Sequence, residues 1–298
     1  MIQNTNQDPR TRVGIMSRNI KGWDVRLYWN DIFLLFANIW FRSQYAIKGG
    51  AKSHGLMNNE KLKNIHSGKR LIVVGNGPSI NEQDLRLLKG EITFFVNRGF
   101  LHPHYEAIQP TYHIIIDPKM ATGEWPLDFL DEAAEKNPGV TFLLNGAWYQ
   151  LPQFQSCKEK YNIYWLYQAL FFTPNIRRNI DLTRIGVGGA VVEQGILASI
   201  YMGAKDIYII GVDYNGFAYD LLQKSSHFYG VNSENLTKGY RDIYRDLDMI
   251  STSFRQFELI AKYCRKKGVS LVNMTRGGVL DICQRMKYED LFEVAISE

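Results

Sequence analysis

Residues 71–79 read Leu-Ile-Val-Val-Gly-Asn-Gly-Pro-Ser, and this short stretch restricts the fold more than any other feature of the chain. Four branched apolar residues in a row suit a strand buried on both faces, as in a parallel sheet. Gly75 and Gly77 then break the run, and residues 80–90, INEQDLRLLKG, resume with helical spacing. A strand, a glycine turn and a helix make an anion site. Glycines let backbone N–H groups approach a phosphate, and a helix N-terminus adds partial positive charge. The turn is neither GxGxxG nor a Walker loop. On pattern alone, a phosphate site and a plain tight turn both stay open.

The same alternation continues along the chain. EITFFVNRG (91–99), TYHIIIDP (111–118) and VTFLLNG (140–146) read as strands. Residues 188–205 read as a helix opened by Gly188 and Gly189, and DIYIIGVDYNG (206–216) as another buried strand. A helix over 248–268, a strand over 269–275, the RGGVL loop and a short final helix close the chain. Such an order predicts an α/β fold, a Rossmann-like, doubly wound, mostly parallel sheet. Ligands of these sheets bind beyond the carboxyl ends of the strands. Asn76, Asn97, Asp117 and Asp213 stand at those predicted ends, which points to one ligand crevice.

The charge is uneven. Residues 1–70 hold 12 Lys and Arg against 4 Asp and Glu, whereas the rest holds 23 against 26. A basic segment of this kind meets an anionic surface. Within it, residues 23–42 place Tyr28, Trp29, Ile32, Phe33, Leu35, Phe36, Ile39 and Trp40 on one helical face. Arg26, Asn30, Asp31, Asn38 and Arg42 fall on the other, so the segment reads as an amphipathic helix too short in its charge-free part to span a bilayer. Two readings are open: peripheral contact with a membrane interface, or packing on the domain or a neighbouring subunit, which would make a homo-oligomer. No nucleic-acid motif accompanies the basic charge. Residues 48–68 are rich in Gly, Lys and Asn and read as a linker, so the expected organisation is an extension over 1–68 and a catalytic domain over 69–298. The polar start of the chain predicts no secretory leader, hence a cytoplasmic location, and the scattered Cys157, Cys264 and Cys283 predict neither a disulfide scaffold nor a metal site.

Residues 217–230, FAYDLLQKSSHFYG, read as a loop rich in Tyr and His, and among the six histidines His227 is distinguished by its surroundings there. It follows Ser225-Ser226, precedes Phe228-Tyr229 and lies close to Tyr214 and Tyr219. Histidine suits proton abstraction from a sugar hydroxyl, and tyrosine hydroxyls can stabilise a departing phosphate without a metal.

Four stretches together carry a resemblance: GNGPS, GAKDIYIIGVDY, SSHFYG and VNMTRGGVLDICQRMKYEDLF. Over roughly residues 69–295 the chain resembles the MptE-like Rossmann domain. That domain is shared by archaeal 6-hydroxymethylpterin diphosphokinases, flagellin-glycosylation proteins of the Maf type and sialyltransferases of glycosyltransferase family 42. The resemblance implies a GT-A-like, sialyltransferase-type single nucleotide-binding domain. It implies that Asn76 and Ser79 line the donor nucleotide and phosphate and that Asn97 contacts them. With Gly77, Pro78, Asp117, Gly188, Gly189, Asp213, Thr275 and Arg276 these residues make up the expected donor site. His227 would be the general base, with Tyr214 and Tyr219 at the leaving phosphate. Two departures stand out. Asp117-Pro118 replaces the Asn-Pro of the sialyltransferases, and Gly188-Gly189-Ala190 replaces their Thr-Ser-Gly.

The expected activity is inverting, metal-independent transfer of an acidic sugar, a nonulosonate or Kdo, from a CMP-sugar donor to a glycan or glycolipid acceptor, with no cofactor. An ATP- and Mg-dependent pterin diphosphokinase, which Asp117 and Asp213 would favour, is the alternative enzyme. A non-catalytic nucleotide-sugar-binding subunit is the third reading, and the fold alone also admits a methyltransferase.

Overall fold

The structure, a computed structural model, describes residues 21–173, 180–222, 224–230 and 240–293. The side chains of residues 21–28, Arg26 and Tyr28 among them, lie outside the described residues. Among the described residues, ten strands follow in chain order: β1 (Arg70–Val74), β2 (Thr93–Val96), β3 (Tyr112–Ile115), β4 (Thr141–Asn145), β5 (Ile163–Leu166), β6 (Gln168–Leu170), β7 (Gly186–Val187), β8 (Asp206–Ile210), β9 (Ser270–Asn273) and β10 (Gln284–Arg285). Eight of them form one sheet in the order β10-β9-β8-β1-β2-β3-β4-β5, while β6 and β7 pair separately. Every pairing within the large sheet is parallel. This is the Rossmann-like α/β sheet that the strand–helix alternation predicts.

The apolar run of β1 is explained by burial on both sides. Leu71 and Val73 enter a core shared with Ile196 and Leu197 of the helix Val191–Tyr201 and with Phe257 and Ile260 of the long helix Tyr240–Lys267. Ile72 and Val74 face the opposite core, among Leu56, Phe95, Tyr105 and Phe142. Full burial of one such side chain contributes about 1.5–3 kcal/mol, so a polar residue at any of the four positions would be costly.

Three expectations are corrected. Residues 80–90 do not form an α-helix but two 3₁₀ turns, Pro78–Glu82 and Leu85–Leu88. Between them Asp84 uses its own carboxylate to accept the Arg86 amide, a local bond that competes with helix propagation. The anion-binding helix N-terminus expected after Gly77 is therefore absent there. Residues 48–68 are no free linker either. Leu56 and Leu62 are buried in the two cores, and the Asn59 amide donates to the carbonyls of Trp165 and Leu182 at 2.7 Å each. Finally, the loop expected over 217–230 contains the short helix Gly216–Leu221.

The N-terminal helix Lys21–Ile47 packs on the body by its polar side. Asn38 exchanges two hydrogen bonds with the Phe171 backbone, at 2.9 and 2.7 Å, and Asp31 pairs with Arg255 at 2.6 Å. Phe41 meets Phe171, and Tyr45 stacks on Tyr167. The apolar side therefore faces outward, the reverse of the usual arrangement for a docked amphipathic helix. Among the described residues, no helix is long and apolar enough to cross a membrane.

Candidate active site

The chain runs outward from β1 through β2 to β5, then returns to lay β8 on the other side of β1. That reversal is the topological switch point at which sheets of this kind open a ligand crevice. Here the turns after β1 and β8 are fused. The Gly75 and Gly77 amides donate to the carbonyls of Ile210 and Gly211 at 2.8 and 2.9 Å. A methyl on Gly75 would sit 2.4 Å from the Gly211 carbonyl oxygen, and one on Gly77 would sit 1.6 Å from Asp213 Oδ2. The two glycines are required for this backbone contact, whatever else they approach.

Bonds within the protein occupy several of the expected donor residues. Ser79 Oγ donates to Asp213 Oδ2 at 2.9 Å, and Thr275 Oγ1 accepts the Val212 amide at 3.0 Å. Burial raises the Asp213 pKa, and the bonds from Ser79 partly offset the rise. Arg276 stands on the exposed rim, 3.3 Å from Glu82. Pro78 begins the first 3₁₀ turn.

The SSHFYG loop docks directly on the GNGPS turn. The Phe228 amide donates to the Asn76 carbonyl at 2.9 Å, and the Asn81 side chain donates to the Phe228 carbonyl at 3.1 Å. Asn76 in turn donates its side-chain amide to the Val96 carbonyl at 3.0 Å, tying the loop to the end of β2. His227 is half-buried and held on two sides. Its Nδ1 meets Ser226 Oγ at 3.3 Å, and its ring stacks on Tyr229 at 5.0 Å between centroids with a 9° tilt. Ser225 Oγ braces the His227 backbone by accepting its amide at 3.2 Å and donating to its carbonyl at 3.0 Å.

Asn97, at the end of β2, takes a left-handed backbone with φ of 45°. A buried relay holds it. Tyr105 OH donates to His113 Nδ1 at 2.8 Å, and His113 Nε2 donates to the Asn97 carbonyl at 2.7 Å. Burial pushes the His113 pKa down to about 4, so the ring is neutral and can serve as both acceptor and donor. The Asn97 Oδ1 atom is buried without a hydrogen-bond partner. It is a buried acceptor left unsatisfied at a strand end beside the switch point. After β3, Asp117 Oδ1 accepts the Lys119 amide at 3.0 Å.

Beside these strand ends lies a group of residues that spacing did not reveal. The Arg98 guanidinium stands 5.1 Å from the Trp125 ring, 5.2 Å from Phe129 and 5.8 Å from Tyr229. Lys119 Nζ stands 5.7 Å from Trp125. Two cations from different segments thus flank Trp125, and one of them, Arg98, also stands over the tyrosine that stacks on His227. They can receive a phosphate or a carboxylate.

Tyr214 is placed differently from expectation. Its left-handed backbone, φ 56°, turns the ring onto Phe254 and Phe257, and its hydroxyl donates to Glu193 Oε1 at 2.9 Å. Ser253 Oγ donates to the same oxygen at 3.0 Å, and the Ala190 amide reaches Oε2 at 3.1 Å. Burial raises Glu193 to about 7, against the pull of those bonds, and drives Tyr214 upward too. Gly188, half-buried, and Gly189, exposed, border this buried cluster. The Gly188 carbonyl accepts from Gln256 at 3.1 Å, and a methyl on Gly189 would sit 2.0 Å from Glu193 Oε2. Tyr219, half-buried on the helix Gly216–Leu221, is not joined to Tyr214. Among the described residues, no three His, Cys, Asp or Glu side chains converge as a metal site would require.

The family model described as 6-hydroxymethylpterin diphosphokinase MptE-like matches residues 52–218, more than half of the chain. The chain belongs to the MptE-like family. Its matched segment begins inside the 48–68 stretch, which Leu56, Asn59 and Leu62 anchor, and ends just past the crevice turn after β8, so it contains the fused turns and the Asn97 relay. Two solved structures are similar to this MptE-like protein. The MAf glycosyltransferase from Magnetospirillum magneticum AMB-1 aligns with 83% of this chain and 41% of its own, at 13% identity and a TM-score of 0.44. The sialyltransferase CstII from Campylobacter jejuni, in complex with cytidine-5'-monophosphate, aligns with 74% of this chain and 85% of its own, at 14% identity and a TM-score of 0.42. The chain therefore spans less than half the length of the MAf protein. No curated protein matches it.

Proposed function

We propose that this MptE-like protein is an inverting, metal-independent glycosyltransferase. It moves an acidic sugar, a nonulosonate or Kdo, from a CMP-sugar to a surface glycan or glycolipid. One observation carries the reading: the Phe228 amide bonds to the Asn76 carbonyl, which fastens the His227 loop to the glycine turn at the switch point. A candidate base and the switch-point turn thereby share one crevice.

In the reaction, the acceptor hydroxyl oxygen attacks the anomeric carbon. A new C–O bond forms, the bond from that carbon to the phosphate oxygen breaks, and CMP leaves. His227 takes the hydroxyl proton, with Ser226 and Tyr229 setting the ring's orientation. Arg98 and Lys119 supply positive charge for the sugar carboxylate and the leaving phosphate, and Tyr219 donates to that phosphate. Asn97 Oδ1 accepts from the nucleotide. The outward apolar side of the N-terminal helix rests on the cytoplasmic face of a membrane, where a glycolipid acceptor is within reach.

The test is a thermal-shift series with CMP, CDP, UDP, GDP and ATP–Mg, with and without EDTA. Ligand present at 100 times its Kd stabilises by about 2.7 kcal/mol, which such a series resolves. CMP-selective, EDTA-insensitive stabilisation is expected, together with loss of transfer but not of CMP binding in His227→Ala. The family description favours one other reading, an ATP-dependent diphosphokinase with Asp117 and Asp213 facing the phosphates. Stabilisation by ATP–Mg alone would select it, and a His227→Ala protein with full function would select a binding subunit.

A further inference from the structure

We infer that the cavity beside the N-terminal helix is a binding site for an anionic membrane lipid. The cavity has a volume of about 950 Å³ and lies at the far end of the sheet from the crevice. Its lining residues Gly203 and Ala204 lead into β8, and Val269 leads into β9, whereas the crevice residues follow their strands. It is a separate site.

The orientation of the helix is the first observation. Asp31, Asn38 and Tyr45 fasten one side to the body. On the opposite side Trp29, Phe33, Phe36 and Trp40 are 65%, 68%, 66% and 59% exposed, at helical spacing. A contiguous apolar face of this size marks a contact with another phase or molecule. Leu35 and Ile39, each about half exposed, lie between the two sides and also form the mouth of the cavity. The cavity therefore opens onto the apolar face.

Charge is the second observation. Arg42, Lys63, Arg184 and Lys267 line the cavity against a single carboxylate, Asp181, while Leu170, Val187, Leu197 and Ile200 form its apolar floor. Arg184 pairs with Asp181 at 3.3 Å, and Lys63 pairs with Glu60 at 3.5 Å, but both pairs are solvent-exposed and weak. A cationic wall over an apolar floor matches a molecule with an anionic head and a hydrocarbon body. A second copy is a poorer fit to the same face, because the cavity opening onto it is lined by four cations against one acid. Two such surfaces repel, whereas an anionic bilayer attracts them. The helix face rests on the bilayer, and the cavity takes the headgroup end of one lipid from it.

This inference rests on the membrane contact proposed above and is independent of the chemistry at the crevice. Its test uses the full chain in three forms: wild type, Phe33→Glu with Phe36→Glu, and Lys63→Gln with Lys267→Gln. Each is sedimented with vesicles of phosphatidylcholine alone or mixed with phosphatidylglycerol, and titrated separately with short-chain phosphatidylglycerol in dilute solution. Wild type is expected to partition onto the phosphatidylglycerol vesicles and to bind the short-chain lipid in a 1:1 complex. The phenylalanine variant loses partitioning onto either vesicle. The lysine variant still partitions, with roughly fivefold weaker preference for the anionic vesicles per charge removed, and loses the 1:1 complex. If the lysine variant keeps the complex at wild-type affinity, the cavity site is overturned while the membrane contact stands. Unchanged partitioning of the phenylalanine variant overturns both. So does a wild type that ignores vesicles but is a dimer that the phenylalanine variant dissociates. CMP-induced stabilisation, measured on the same samples, reports on the crevice reading independently.

Discussion

Glu193→Gln tests the energetics of the cluster behind the crevice. The Glu193 side chain is fully buried, bonded by the Tyr214 and Ser253 hydroxyls and the Ala190 amide. Its pKa rises from the ordinary 4.5 to about 7 because burial outweighs those bonds. In the unfolded chain the carboxyl ionises near its ordinary value; in the folded protein it holds its proton longer. The stability this group contributes is thus fully present below pH 4.5 and is lost as pH rises through about 7. The loss amounts to about 3 kcal/mol, because each tenfold gain in proton affinity on folding corresponds to about 1.4 kcal/mol. Glutamine mimics the protonated acid: its oxygen can accept the Ala190 amide while both hydroxyls rotate to accept from its nitrogen. Urea denaturation of both proteins from pH 5 to pH 8 should show the stability of Glu193→Gln rising relative to wild type by about 2–3 kcal/mol. Buried His102 and His113, both pushed down to about 4, act with the opposite sign. Their contribution is lost as pH falls through about 4, but it is common to both proteins and cancels in the difference. A difference that stays flat across the range would refute the reasoning, for it would mean that the carboxylate is held ionised in the fold.

Gly75→Ala forces a methyl to within 2.4 Å of the Gly211 carbonyl, so the fused turns must part and stability should fall by about 2–4 kcal/mol in a thermal melt. Asn59→Ala strands the Trp165 and Leu182 carbonyls in the core and should cost about 2–4 kcal/mol by urea denaturation, with CMP affinity retained once the protein is folded. Arg98→Met keeps the contact with Trp125 and Phe129 but removes the charge. It should weaken an acidic nucleotide-sugar roughly tenfold or more by isothermal titration while leaving the melting temperature within a few degrees.

The parallel sheet was legible because its central strands are apolar on both faces, and β1, β2, β3, β4, β8 and β9 all stand where continuous runs predict them. The edges were not. β5 is a four-residue run, IYWL, that is only half-buried over Ile163 and Tyr164, and β10 is only two residues long, too short for any periodicity. Residues 80–90 have helical spacing, yet Asp84 turns the chain by bonding locally, a choice that periodicity does not register. At the candidate site, Asn76, Asn97 and Asp213 do stand just past strand ends beside the switch point, since that position follows from topology. Arg98, Lys119, Trp125 and Tyr229 come together from separate loops, so no spacing announces them. Glu193 did leave a signal: a lone acid in a mostly apolar, glycine-opened helix, which is where a buried carboxyl must find partners. The orientation of the N-terminal helix was beyond pattern, because both of its sides have a use.

The contact between the turns after β1 and β8 also sets the order in which the molecule can become competent during synthesis. Strand β1 ends at Val74 and β8 at Ile210, and five residue pairs join them in register. A ribosome adding about 5–20 residues per second needs several seconds or more to cover that interval. Until then Leu71, Ile72, Val73 and Val74 have only β2 beside them, and one edge of β1 stays open to any passing chain. A nascent protein of this design is thus most exposed to mispairing midway through its translation, and a chain stopped before Asp206 would have no crevice to offer a ligand.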